Sequence, residues 1–168
     1  AAAAVGLLLG ETPELIAQGL VSYQASGMRQ NIYEQDGYQI YADCYNASPD
    51  AMEATLSVLG GMAGDGRRFA VLGSMLELGD YAEEGHRRAG RAAAQYADAL
   101  YAYGPDAAAM VAGAREKGME HAYAFDDQTA LVAALREDAK KGDALLFKGS
   151  RGMRMEKALS LFLKEEES

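Results

Sequence analysis

The 168-residue chain is nearly half apolar and carries a formal net charge of -9. It can therefore form one globular domain with a real core, and its acidity disfavours phosphate backbones and anionic lipid surfaces, which sets nucleic acid and membrane aside as partners. The single cysteine, Cys44, excludes an internal disulfide and any multi-cysteine metal site, suits a reducing compartment, and is expected to be a small buried side chain.

The opening AAAAVGLLLG lacks a basic flank and the length to cross a bilayer, so residues 1–9 are expected to end a soluble helix at Gly10. Thr12-Pro13-Glu14 then supplies a cap, a first-turn proline and an acid for a second short helix. A helix cut at its start, without Met, suggests that the chain continues something longer. The small, polar stretch at 23–28 reads as a linker between a remnant at 1–22 and a domain at 29–168.

From Arg29 the period becomes two. RQNIYEQ and YQIYAD flank Asp36-Gly37, a strong signal for a hairpin with a two-residue loop. In PDAMEATLSVLGG, Met52, Leu56, Leu59 and Met62 share one helical face. RFAVLG reads as a strand, Tyr81 to Tyr96 as a helix, ADALYAYG as a strand and Asp106 to Lys117 as a helix. HAYAF, Gln128 to Lys140, DALLFKG and Met153 to Lys164 continue the alternation before an acidic tail. Strands separated by helices of this length predict an α/β, Rossmann-like, mostly parallel sheet flanked by helices, with an antiparallel N-terminal hairpin strand.

Ligands of such sheets bind beyond the carboxyl ends of the strands. Three polar clusters fall there: DCYNASPD, GSMLELGD and KGSRGMR. In the first, Ser48 caps the next helix, Pro49 opens it and Asp50 complements its dipole. Asp43, Tyr45 and Asn46 are left without a local task. Asp43 can accept from a ribose hydroxyl or hold a magnesium-bound water, and Asn46 can donate and accept; both equally suit an Asx-turn. In the last cluster Lys148, Ser150 and Arg151 surround two glycines, an arrangement that suits an anion or a solvated basic loop. Glu77 and Asp80 read as loop or first-turn acids, His86 as a surface residue, and His121 has no partner spacing. A protein-built zinc site is not expected, and no phosphate loop, dinucleotide fingerprint or nucleophile elbow occurs.

ADCYNASPDAMEATL, RFAVLGSMLELGDYAEEGHRRAG and DALLFKGSRGMRME, in this order and spacing, resemble the C-terminal domain of the Mur ligases. AAAAVGLLLGETPELIAQGL resembles the last helices of that family's central ATPase domain. The resemblance implies a cytoplasmic, ATP- and Mg2+-dependent amide ligase of peptidoglycan synthesis, whose phosphate loop lies in the central domain. The YNASPD form and the KGSRGMRME ending point within the family to the reaction that joins D-alanyl-D-alanine to UDP-N-acetylmuramoyl-tripeptide. By the same resemblance Arg29 approaches the nucleotide phosphates, Asp43, Tyr45 and Asn46 form a nucleotide-binding group, and Lys148, Ser150 and Arg151 face the dipeptide. The 168 residues alone are then expected to be inactive. A related ligase with another acceptor, of the folylpolyglutamate type, and a non-catalytic Rossmann-like binding module are the competing expectations.

Overall fold

The computed structural model describes residues 2–22, 29–62 and 64–164. The expected linker at 23–28 and the acidic end of the tail lie outside them. Helices α1 (Ala2–Leu8) and α2 (Pro13–Val21) come first, and Thr12 caps α2 by accepting from the Leu15 amide. Neither helix has a buried residue, and Leu8 and Val21 are each 87% exposed. No described helix is long and apolar enough to cross a membrane.

Strands β1 (Asn31–Gln35) and β2 (Tyr38–Asp43) form the expected hairpin. Gln35 pairs with Tyr38, and Asp36 and Gly37 both take positive φ, at 55° and 87°. Two successive positive φ values define the turn whose twist matches that of the strands, which is why Asp-Gly is favoured there. The chain then runs α3 (Pro49–Gly60), β3 (Arg68–Gly73), α4 (Ala82–Tyr96), β4 (Ala99–Tyr103), α5 (Ala107–Glu116), β5 (Ala122–Phe125), α6 (Gln128–Asp138), β6 (Ala144–Lys148) and α7 (Met155–Leu163). Helix α7 starts later than the apolar pattern predicts. Residues Arg151–Met153 form a separate 3-10 turn, and Arg154, with φ 49° and ψ 48°, is left-handed and interrupts the helix.

Among the described residues six strands form one sheet in the order β1-β2-β6-β3-β4-β5, antiparallel only between β1 and β2. Side-chain alternation assigns the two layers. Tyr41, Ala70, Leu72, Leu100, Ala102 and Leu146 face the core under α3, α4 and α5. Ile40, Phe69, Val71, Tyr101, Leu145 and Phe147 face the core under α6 and α7. Met52, Leu56 and Leu59 of α3 are fully buried, as their helical spacing predicts, whereas Met62 lies past the helix and only partly covers the same core. Because β6 inserts between β2 and β3, the last strand of the chain brings its carboxyl end beside that of an early one. That topology builds the site.

A candidate site where β2 and β6 end side by side

Asp43 and Lys148 are the last residues of β2 and β6 and are partners in the parallel register. Lys148 Nζ donates to Asp43 Oδ2 at 2.5 Å and to the Asn46 carbonyl at 2.9 Å. The two side chains are 2% and 10% exposed, so this is a desolvated, charge-assisted contact rather than a surface ion pair. The other oxygen, Asp43 Oδ1, accepts from the Gln30 amide at 3.3 Å. Thr55 sits 3.4 Å from Oδ2, but its single proton serves the Ala51 carbonyl at 2.6 Å. Thr55 was not singled out from sequence, although a hydroxyl on the apolar stripe of α3 was the available signal.

Above this pair the surface is polar and exposed. The Arg29 guanidinium lies 3.8 Å from the centre of the Tyr45 ring, and both residues are exposed. A stack of this kind contributes about 0.5–1 kcal/mol at an exposed position. Asn46 is also exposed; its Oδ1 accepts from the following amide, that of Ala47, at 2.9 Å, so donation is left to its NH2. Ser48 caps α3 by accepting from the Ala51 amide, as the sequence predicts.

The cluster after β6 divides. Lys148, grouped by sequence with Ser150 and Arg151, is instead committed to Asp43 and Asn46, because strand register places it opposite Asp43. Ser150 is buried and its Oγ accepts from the Leu76 amide at 2.9 Å, tying this loop to the one after β3. Arg151 is exposed, with Glu156 3.4 Å away. Gly149 serves packing: a Cβ there would lie 3.1 Å from the Gly73 Cα and 2.8 Å from Met155.

His86, expected on the surface, is fully buried. Its Nδ1 donates to the Ala82 carbonyl one helical turn back, and its Nε2 accepts from the Met75 amide at 2.8 Å. The ring thus fixes the loop after β3, where Ser74 Oγ also accepts from the Asp106 amide at 3.0 Å. Glu77 in that loop is exposed, and His121 lies beside the Tyr123 hydroxyl on the surface.

Cys44 is buried as expected, and its thiol donates to the Phe147 carbonyl at 3.3 Å. Burial, reinforced by the Glu156 and Asp43 carboxylates, pushes the thiol up to about 12. The native protein is expected to be inert to a thiol-reactive dye at pH 8 and to react fully once denatured. Rapid labelling of the native chain would contradict this placement.

The chain matches the family model for the Mur ligase, glutamate ligase domain over residues 28–151. It is 37% identical over 159 residues to the UDP-N-acetylmuramoyl-tripeptide--D-alanyl-D-alanine ligase of Bacillus subtilis, covering 93% of this chain and 35% of that one. Identity to the Synechocystis ligase of the same name is 34%, over 98% of this chain and 36% of the relative. Among solved structures, the MurF ligase of Thermotoga maritima in complex with ADP superposes with a TM-score of 0.81 at 33% identity, covering 96% of this chain and 36% of that one. The chain thus spans about a third of the length of the curated relatives it matches. These similarities establish that the chain belongs to the Mur ligase family, with residues 28–151 matching its C-terminal, glutamate ligase domain.

Proposed function

We propose that residues 29–168 are the closing, nucleotide- and dipeptide-contacting domain of a MurF-type ligase that joins D-alanyl-D-alanine to UDP-N-acetylmuramoyl-tripeptide, with ATP and Mg2+, in the cytoplasm. Residues 1–22 are then the last helices of the central ATPase domain and 23–28 the linker. The exposed apolar side chains of α1 and α2, Leu8 and Val21 above all, support that assignment, since they suit burial against the rest of such a domain.

The observation that carries the reading is the exposed group of Arg29, Tyr45 and Asn46 set on the buried Asp43–Lys148 pair at the strand ends. These residues fit the outer edge of a nucleotide: a flat aromatic face, a guanidinium for phosphate oxygens, and an amide that donates. Asp43 contributes through Oδ1, the oxygen that Lys148 does not hold. They do not fit a metal centre. No three His, Cys, Asp or Glu side chains among the described residues are grouped to hold an ion. Magnesium and the phosphate loop belong, by the family resemblance, to the central domain. ATP, when bound there, supplies the phosphoryl group that activates the tripeptide carboxylate. This domain's part is to close over the nucleotide and exclude water from a hydrolysable intermediate. Arg151, exposed on the loop that buried Ser150 anchors and paired there with Glu156, is the cation assigned to the dipeptide's free carboxylate.

The test is phosphate release by the full-length enzyme with ATP, magnesium and UDP-N-acetylmuramoyl-tripeptide, with and without D-alanyl-D-alanine. Release is expected only when the dipeptide is present, and none is expected from the 168-residue chain alone. Release independent of the dipeptide would move the protein to another acceptor.

A further inference from the structure

We infer that Lys148 is a positioning residue of the nucleotide face and does not bind the acceptor dipeptide. Its ammonium has no route to a ligand: the side chain is 2% exposed and is held by Asp43 and the Asn46 carbonyl. Those two contacts tie the end of β6 to the end of β2 and the loop that follows it, 105 and 102 positions away in sequence. Through Asn46, Lys148 fixes the path of the β2–α3 loop that displays Tyr45 and the Asn46 amide. Through Asp43, it orients the carboxylate that accepts from the Gln30 amide, next to Arg29. Arg29 in turn lies on Tyr45. A single buried cation thus sets the relative positions of the exposed groups proposed to meet the nucleotide, whereas Arg151 stands on the separate loop after β6.

The inference rests on the ligase reading, and its test separates the two. In the full-length enzyme, Lys148→Met removes the ammonium while keeping an unbranched apolar chain. ADP affinity, measured by calorimetry without turnover, is expected to weaken about tenfold, the scale of one charge-assisted contact. The KM for D-alanyl-D-alanine should stay within about twofold of wild type, because no dipeptide contact is lost. Arg151→Ala should show the opposite split.

Lys148→Met leaves the Asp43 carboxylate buried without its cation, so the double variant Lys148→Met/Asp43→Asn provides a folded comparison. It should regain thermal stability, while Asp43→Asn alone, which keeps the ammonium, gives the share of any ADP loss that belongs to Asp43 rather than to Lys148. A raised dipeptide KM with unchanged ADP affinity would overturn the inference, as would an unchanged value of both. A purely structural role would lower the melting temperature while leaving ADP affinity intact, and that too would overturn it. If the wild-type enzyme ignores D-alanyl-D-alanine, the ligase reading fails while the ADP measurement still decides the role of Lys148.

Discussion

Asp43→Ala is expected to destabilise the 168-residue chain by about 3–5 kcal/mol, before any question of turnover arises. The sequence alone presents Asp43 as an acid at a strand end with no local task. The structure adds a reason for a large stability effect. Lys148 Nζ is buried and has two partners, the Asp43 carboxylate and the Asn46 carbonyl. Removing the carboxylate leaves a cation with one neutral acceptor in a desolvated position, and the cost of that unpaired charge exceeds the worth of the contact itself. Over a domain of this size the melting temperature should fall by roughly 6–20 °C. The decisive comparison is Asp43→Ala/Lys148→Met, which removes both charges and should recover most of the loss. If the double variant melts as low as the single one, the unpaired ammonium is not the cause.

The pair also marks how far the sequence could be read. The central elements were legible because their strands pack against a core on each face: Phe69 and Val71 face one layer while Ala70 and Leu72 face the other. Local chemistry was equally readable, in the Asp36-Gly37 turn and the Ser48 cap, because a short side chain and its target amide lie within a few residues. Long-range placement was not. Asp43 and Lys148 are 105 residues apart and meet only because β6 inserts between β2 and β3. Nothing in KGSRG distinguishes a lysine aimed at a ligand from one buried under the neighbouring strand end. His86 was misplaced for a related reason. Its neighbours in GHRR are charged, but its ring is captured by the Ala82 carbonyl and by an amide of the loop after β3. The late start of α7 depends on a left-handed Arg154, a conformation its residue type does not announce.

The sign of a second substitution separates local propensity from packing. Gly90 in α4 and Gly113 in α5 are helix-interior glycines, and replacing either with alanine in an isolated helix stabilises it by roughly 0.5–1 kcal/mol. Here the opposite is expected. A Cβ on Gly90 would lie 1.9 Å from the Met110 carbonyl oxygen, and one on Gly113 would lie 2.0 Å from the Arg87 carbonyl oxygen. Both obstacles are backbone, so no side-chain rotation relieves them, and the two helices must separate. Gly113→Ala should therefore cost about 3 kcal/mol, at the upper end for overpacking, and lower the melting temperature by roughly 6–12 °C. The damage should reach the strand ends as well. His86 lies one turn before Gly90 on α4 and holds the Met75 amide, in the loop whose Leu76 amide is bonded to Ser150. Displacing α4 from α5 should speed hydrogen exchange at the Met75 amide well beyond the change at the Phe69 amide in β3. A Gly113→Ala chain that melts at or above the wild-type temperature would show that the helices shift apart at little cost. Uniform exchange at Met75 and Phe69 would show instead that the loop is held independently of α4.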